Sequence, residues 1–351
     1  MDEGRIVADM YTKDFLAGDM LLQHGIREPL YLTALRYAGV PITKELEPQH
    51  VNSLQLSDKE KEQVRTWYQT STIPEEAPNR ERELLRVENL SFGYTPEVMN
   101  LQNVSFSINE GEMVSIVGRN GAGKSTLAKL ICGLEKPTAG KIYLEGKDLS
   151  GDTIKERAQR IGYVMQNPNQ MISKPMIWDE VEMALMAGNM SAEERKERVE
   201  ETLKICGLYP FRKWPVSALS YGQKKRVTIA GILVQRPRMI ILDEPTAGQD
   251  YHHYTEIMEF LKELNGQGFT IVMITHDMHL MLEYTPRAIV FCEGELLADT
   301  TAAHVLNDPA LVERANLKET SLYTLSMACG IEEPREFTKR FIAYEEAHRR
   351  G

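Results

Sequence analysis

The stretch Gly118-Arg-Asn-Gly-Ala-Gly-Lys-Ser125 is the feature that most restricts the fold of this 351-residue chain. It directly follows the apolar run 113–117 and precedes a helical pattern at residues 125–132. Glycines between a strand and a helix let successive backbone N–H groups converge on an anion at the helix N-terminus. In such a loop Lys124 supplies a positive charge and Ser125 a hydroxyl for Mg²⁺. The stretch therefore predicts a phosphate-binding loop in an α/β domain.

From residue 84 onward, short apolar runs alternate with longer helical patterns. This alternation is typical of a three-layer α/β domain with a largely parallel sheet. We place that domain at residues 84–300, with a charged, solvent-facing helix at 192–206. The predicted strands lie at residues 85–87, 104–108, 113–117, 162–165, 239–242, 271–274 and 288–292.

Residues 41–83 are polar and lack a sustained helical or strand period. They also contain Pro41, Pro48, Pro74 and Pro78. We interpret them as a linker. The order Ser57-Asp-Lys-Glu60 has the layout of a capping box, so it allows a helical turn at 57–68 inside that linker.

The N-terminal residues contain a match to the far end of the chain. Glu3-Gly-Arg-Ile-Val-Ala-Asp9 aligns with Glu293-Gly-Glu-Leu-Leu-Ala-Asp299 at an offset of 290 residues (293 − 3), and Phe15-Leu16 aligns with Val305-Leu306 at the same offset. We interpret residues 1–40 as the tail of a preceding copy of the α/β domain, which would make the chain the second half of a tandem protein. The alternative is a chance similarity between two hairpin-plus-helix segments.

Two adjacent carboxylates follow the apolar strand at 239–242. Asp243 and Glu244 then lie at the sheet edge where open α/β folds bind ligands. Asp243 would hold Mg²⁺ through its water shell, and Glu244 would accept a proton from the attacking water. A strand that ends in Asp-Glu is common at structural loops, but the glycine loop upstream favours the functional interpretation.

Composition limits the partners. A net charge of −10 and a pI near 5.5 provide no basic surface for nucleic acid or anionic lipid. The apolar runs are far shorter than the ~20 residues of a membrane helix, and the N-terminus has no signal-peptide pattern. The widely spaced Cys132, Cys206, Cys292 and Cys329 are interpreted as buried thiols. We predict a cytoplasmic protein that reaches a membrane only through a protein partner.

Leu219-Ser-Tyr-Gly-Gln223 resembles the signature motif of ABC ATPases. Other motifs of that family follow in order: Tyr94 at the adenine-stacking position, Gln166 as the Q-loop, Ala247-Gly-Gln-Asp250 as the D-loop and His276 as the switch histidine. The resemblance covers residues 84 to about 300. It implies a P-loop NTPase of ABC type, with a mostly parallel central sheet, an antiparallel β subdomain and a small helical subdomain at about 167–235. Residues 301–351 are expected to form a helical tail.

The same resemblance implies a role for each motif residue. The residues expected to contact ATP are Tyr94, Gly118, Arg119, Asn120, Gly121, Ala122, Gly123, Lys124, Ser125 and Thr126. Catalysis is expected from Glu244, His276 and Gln166, and Mg²⁺ binding from Ser125, Gln166 and Asp243. The signature residues Leu219, Ser220, Tyr221, Gly222 and Gln223 would contact ATP held by a second domain, beside the D-loop residue Asp250. Tyr221 replaces the commoner glycine, which we expect to be tolerated because Ser220 and Gly222 are kept.

Within the family, residues 166–181, the signature and the D-loop resemble ATPases of energy-coupling-factor importers for cobalt, nickel or vitamins. The resemblance implies ATP hydrolysis coupled to transport at the cytoplasmic face of a membrane. The implied partners are a second ABC ATPase domain, a transmembrane scaffold subunit and a substrate-binding membrane protein. Met165, Met171, Met176 and Ile177 are candidates for the scaffold-docking groove, although each also suits a core position.

Two other functions remain possible from the sequence. A soluble tandem ABC protein acting on the ribosome would explain a repeat and a linker, but the acidic charge and the lack of a basic patch disfavour nucleic-acid binding. A nucleotide-dependent regulator without turnover is disfavoured because Glu244 and His276 are both retained. The transporter motor is the preferred hypothesis.

Overall fold

The computed structural model describes residues 5–73, 82–95, 97–249, 251–317 and 319–349. The chain divides into two compact units. A helical unit comprises the described parts of residues 1–78, 250–252 and 301–351, and an α/β unit comprises those of 79–249 and 253–300. No helix in the described ranges is both long and apolar enough to span a membrane.

The helices and strands alternate along the α/β unit. The strands are β1 Glu83–Phe92, β2 Leu101–Asn109, β3 Met113–Val117, β4 Ala139–Leu144, β5 Lys147–Asp148, β6 Ile161–Val164, β7 Met239–Asp243, β8 Thr270–Thr275, β9 Arg287–Cys292 and β10 Glu295–Thr301. The α-helices of the chain are α1 Thr12–Leu16, α2 Met20–Gln23, α3 Leu30–Tyr37, α4 Asp58–Thr70, α5 Lys124–Ile131, α6 Ile154–Ala158, α7 Ile177–Met183, α8 Ala192–Ile205, α9 Tyr221–Leu233, α10 Tyr251–Gly266, α11 Met278–Tyr284, α12 Ala302–Leu306, α13 Pro309–Ala315, α14 Ser321–Ala328 and α15 Pro334–Arg349. Short 3₁₀ helices occupy Lys44–Leu46, Val51–Ser53, Pro168–Gln170, Tyr209–Phe211 and Val216–Ala218.

The larger sheet has six strands in the order β10-β9-β3-β8-β7-β6. The five strands from β9 to β6 run parallel to their neighbours. Every residue of β3 and β8 is buried, as expected for central parallel strands covered on both faces. The glycine loop after β3 therefore lies at the same sheet edge as the ends of β7 and β8.

A second sheet is antiparallel, with the order β2-β1-β4-β5. Its inner face shares a hydrophobic core with β3 and α5. Between β6 and β7 in sequence, α7, α8 and α9 pack together as a helical subdomain within the predicted range 167–235. The predicted fold class, a P-loop ABC domain with these three parts, is confirmed.

All seven predicted strands are present, whereas β4, β5 and β10 were not predicted. The core strands were found because their buried apolar residues form continuous runs. In contrast, β4 begins with three exposed residues and none of β10 is buried. Strands with so few buried residues carry little hydrophobic signal.

The helical unit corrects the linker prediction for residues 41–83. Residues 58–70 form α4, which begins with the predicted capping box: Ser57 Oγ accepts from the Glu60 N–H at 3.4 Å, and the Glu60 carboxylate accepts from the Ser57 N–H at 2.7 Å. Residues 74–81 lie outside the described ranges. The described part of the predicted linker, up to residue 73, therefore belongs to a folded unit.

An aromatic cluster holds α4 against α15. The Trp67 ring lies 5.6 Å from the rings of both Phe337 and Tyr344, measured between centroids, and Arg340 donates to the carbonyls of Tyr68 and Ser71. The helical tail predicted at 301–351 thus packs on residues from the first part of the chain.

The N-terminal match is visible in the order of the helices. The helix α1 starts 290 residues before α12 (302 − 12), and α3 starts 291 residues before α14 (321 − 30). The paired helices have equal lengths, five residues in the first pair and eight in the second. The two eight-residue helices also pack against each other. Glu3 and Gly4, which begin the sequence match, lie outside the described residues.

Arg157 on α6 connects the end of α5 to the turn after β5. Its buried guanidinium donates to the carbonyls of Leu130, Ile131 and Leu149 at 2.9, 3.2 and 2.6 Å. We expect Arg157→Met to lower the free energy of unfolding by about 2–4 kcal/mol, because three buried hydrogen bonds from a charged donor are lost. Equilibrium unfolding in urea would measure this loss of free energy. Lys155→Met on the exposed side of α6 is the control, and equal stability of the two variants would contradict the prediction.

Candidate functional site

The glycine loop has a backbone that side chains would disturb. Gly118 has φ +150°, and a Cβ there would lie 2.2 Å from the carbonyl oxygen of Phe291. Gly123 has φ +99° and is the residue before α5. These two glycines let the loop turn sharply from β3 into the helix, the geometry that a phosphate-binding loop requires.

Lys124 is the first residue of α5 and is only 6% exposed. Its Nζ donates to the carbonyls of Gly118 at 2.7 Å and Arg119 at 3.0 Å. Burial lowers the pKa of Lys124, and the nearby carboxylates of Glu244 and Asp243 oppose that shift. The loop therefore places a buried ammonium group where it could bind an anion.

Two carboxylates at the end of β7 face this loop. The hydroxyl of Tyr163 donates to Asp243 Oδ2 at 3.0 Å. Glu244 has a left-handed backbone, with φ +46°, and its N–H donates to the Ile274 carbonyl at 2.8 Å. His276 Nδ1 lies 2.6 Å from Glu244 Oε1, so the histidine fixes the orientation of that carboxylate.

One cavity of about 380 Å³ collects most of the predicted ATP and catalytic residues. Phosphate-loop, carboxylate, amide and imidazole groups all line it. Those residues are Asn120, Gly121, Gly123, Lys124, Ser125, Thr126, Gln166, Asp243, Glu244 and His276.

Several predicted residues lie outside that lining. Tyr94 is 53% exposed, and its ring lies perpendicular to the Phe92 ring with 4.8 Å between centroids, so part of the Tyr94 ring is open to a stacking partner. Ala122 is fully buried, and Arg119 lies 3.5 Å from Glu293. Asp250 lies outside the described residues.

The signature motif starts α9. Ser220 is its N-cap: its Oγ accepts from the Gln223 N–H at 3.3 Å, and Gln223 Oε1 accepts from the Ser220 N–H at 3.0 Å. Ser220 and Tyr221 are exposed, whereas Leu219 and Gly222 are buried. None of the five lines the cavity of its own chain, and their contact with a nucleotide held by a second domain stays a prediction.

Two residues near the cavity were not predicted from the sequence. Asn100 lines it, and its Oδ1 accepts from the N–H of Tyr94 at 3.2 Å. Tyr163 orients Asp243 from the neighbouring strand β6. Tyr163 lies 80 positions from Asp243 in sequence, whereas Asn100 lies six positions from Tyr94, and no local pattern marks either residue as part of the site.

The donor set around the cavity suits a hard cation. In the described ranges, no group of three or more His, Cys, Asp or Glu side chains is arranged to hold a metal by itself. Ser125, Gln166 and Asp243 offer a hydroxyl, an amide oxygen and one carboxylate in one cavity. Such a set fits Mg²⁺, which keeps several waters and completes its shell with substrate phosphates.

A glycine loop at the edge of a parallel sheet, facing an Asp-Glu pair, defines a P-loop nucleotide-binding domain. The family described as ABC transporter matches residues 101–247, and one described as ATP-binding cassette cobalt transporter matches residues 18–92. The solved cbiO1 of Clostridium perfringens, described as part of the ABC transporter complex cbiONQ, is 33% identical, with a TM-score of 0.62 over 67% of this chain and 95% of that one. The chain belongs to the ABC transporter ATP-binding family.

Other relatives agree with this assignment. A dimeric ATP-binding cassette solved in a post-hydrolysis state with ADP and Pi is 34% identical, with a TM-score of 0.55 over 62% of this chain and 99% of that chain. Putative ABC transporter ATP-binding proteins of Clostridium perfringens and Photobacterium profundum are 54% and 51% identical over 99% and 98% of the chain. The chain spans 61% of the length of each of these two proteins.

Proposed function

We propose that this chain binds and hydrolyses ATP as the motor of a membrane importer of energy-coupling-factor type. The observation that carries the proposal is the single cavity in which Lys124, Asp243, Glu244 and His276 meet. An ATP triphosphate on the glycine loop would place its γ-phosphate between Lys124 and Glu244. The adenine would stack on the exposed ring of Tyr94.

The residues of the cavity divide the work of hydrolysis. Loop N–H groups and Lys124 neutralise the phosphates, and Gln166 helps to position the attacking water. Glu244 takes the proton from that water as it attacks in line with the leaving ADP. His276 holds Glu244 in place through the 2.6 Å contact. Ser125, Gln166 and Asp243 would hold Mg²⁺, whose charge offsets that of the phosphates.

One chain provides only part of each complete site. Ser220 begins a helix whose positive end suits a phosphate, yet it lies outside the cavity of its own chain. We infer that a second ABC ATPase domain supplies the opposite signature helix and that ATP closes the pair. The dimeric structure of the post-hydrolysis relative supports this arrangement.

Mixing two inactive variants tests the composite site. Lys124→Met removes the phosphate ligand, and Ser220→Arg blocks the signature, so a mixed dimer of the two retains one intact site. If the chain pairs with itself, we expect the mixture to regain about a quarter of the wild-type rate, since half of randomly assorted dimers are mixed. ATP turnover at equal total protein is the measurement.

A second mixture is the matched control. Lys124→Met with Glu244→Gln places both defects in the same half of the site, so it should stay inactive. Recovery in both mixtures would contradict the composite site. Recovery in neither, with active wild type, would mean that signature contacts are not shared between chains.

A methionine surface is the proposed docking site for the transmembrane scaffold. Met165, Met183 and Met186 are 38%, 40% and 62% exposed. The Met165 N–H donates to Met171 Sδ, and Ser173 Oγ donates to Met183 Sδ. These contacts link the Q-loop segment to α7. Methionines adapt well to a partner helix. Ile177, a candidate from the sequence, is 0% exposed and is a core residue instead.

Docking there would hold the protein at the cytoplasmic face of the membrane as a peripheral subunit. A separate substrate-binding membrane protein would select the transported solute. We propose a metal ion or vitamin as that solute, and the cobalt-transporter description over residues 18–92 favours the metal ion. The equal helix order in 12–37 and 302–328 supports the further proposal that residues 1–40 are the tail of a preceding ATPase copy.

A further inference from the structure

Two side chains of the signature helix α9 form hydrogen bonds with the Q-loop. Tyr221 Oη donates to the carbonyl of Gln166 at 3.2 Å, and Lys225 Nζ donates to the same carbonyl at 2.8 Å. Lys225 Nζ also donates to the carbonyl of Met165 at 2.8 Å. Residues four apart lie on one helix face, so the two donors converge on one peptide group. We call this pair the Q-loop clamp.

Lys225 is an unusual residue for its position. It is fully buried, and its ammonium group donates to these two carbonyls. Burial lowers the pKa of Lys225 to about 8, although Asp243 and Glu244 favour the charged form. An apolar side chain of similar length would fill the space without this desolvation cost. Stability alone is therefore a poor account of the charge.

The clamp joins groups that serve two different nucleotides. Gln166 lines the cavity of its own chain, while Ser220, the residue before Tyr221, faces outward at the start of α9. In the proposed dimer, Ser220 contacts ATP bound by the second domain. Because both side chains are bonded to the Gln166 carbonyl, a shift of the signature helix would also shift the Q-loop.

We propose that Tyr221 and Lys225 are positioning residues that lock the Q-loop to the signature helix, so that Gln166 reaches its working position only when Ser220 engages the opposite nucleotide. The proposal rests on the proposed ATPase function. It gives Tyr221 a role that glycine, the commoner residue there in the family, lacks the side chain to perform. It also predicts an effect on turnover and not on ATP binding, because neither residue lines the cavity.

The test uses Tyr221→Phe, which removes one hydroxyl, and Lys225→Met, which removes the ammonium group. Lys224→Met, at the neighbouring lysine of the same helix, is the matched control. We expect kcat to fall about 10- to 100-fold for Lys225→Met and about 3- to 10-fold for Tyr221→Phe, from the worth of charged and neutral hydrogen bonds. The Kd for ATP should stay within about threefold of wild type in both.

The double variant separates a shared role from two independent ones. Because both side chains hold one carbonyl, the combined loss in kcat should be smaller than the product of the single losses. Amide hydrogen exchange at residues 165–167 should also accelerate in Lys225→Met without nucleotide, while thermal unfolding of Tyr221→Phe stays unchanged.

Rates equal to the Lys224→Met control in both variants would overturn the proposal. A loss of ATP affinity in proportion to kcat would overturn it as well, since that would indicate a binding role. Failure of the underlying ATPase function is a different result: the wild type itself would then show no turnover with ATP and Mg²⁺.

Discussion

Glu244→Gln is expected to lower the ATP turnover rate by about 10²- to 10⁴-fold, the usual contribution of a general base. Glutamine keeps the size of the side chain and its contact with His276, which lies 2.6 Å away, but it cannot accept a proton from water. ATP affinity should be retained, because Lys124 and the loop N–H groups hold the phosphates. Where the chain pairs with itself, light scattering with Mg-ATP should show a stable dimer of this variant.

The control is Glu197→Gln on the exposed side of α8, which should hydrolyse ATP like the wild type. An unchanged rate for Glu244→Gln would mean that another group accepts the proton. Loss of ATP binding together with turnover would instead assign Glu244 to the nucleotide pocket.

Lys124→Met is expected to weaken ATP binding by at least about 100-fold, from the loss of charge-assisted contacts to phosphate. The ammonium group now satisfies two loop carbonyls, at 2.7 and 3.0 Å, and ATP phosphates would compete for it. ATP should then no longer raise the melting temperature, because ligand stabilisation depends on the ratio of concentration to Kd.

Lys129→Met, in the last turn of the same helix, should retain the ATP-induced shift. Melting without nucleotide distinguishes a folding defect from a binding defect. A normal ATP-induced shift in Lys124→Met would contradict the assigned role of this lysine.

The parts of the site that could be predicted from the sequence are those formed by residues close together in the chain. The glycine loop, the Asp243-Glu244 pair and the signature each combine a fixed motif with an apolar strand or a capped helix. The glycine loop and the Asp243-Glu244 pair were expected to lie close together, because a parallel sheet brings the carboxyl ends of its strands to one edge.

The missed parts depend on tertiary contacts. Lys225 lies in a run of charged residues that favours a solvent-facing interpretation, yet it is fully buried. Tyr163 donates to Asp243 from a different strand, and Asn100 lines the cavity together with the glycine loop. The linker at 41–83 was predicted from polarity and prolines, whereas α4 is stabilised there by Trp67 packing on a helix near the end of the sequence.

That packing has a consequence for synthesis on the ribosome. The hydrogen bond between Arg340 and the Tyr68 carbonyl joins residues 272 positions apart, so α4 leaves the ribosome long before its partner α15 exists. The whole α/β unit is made in the interval and can fold first. Closing so wide a loop adds entropic cost. The helical unit is therefore expected to be the last part of the chain to assemble, and its aromatic surfaces are the ones most in need of chaperone protection until then.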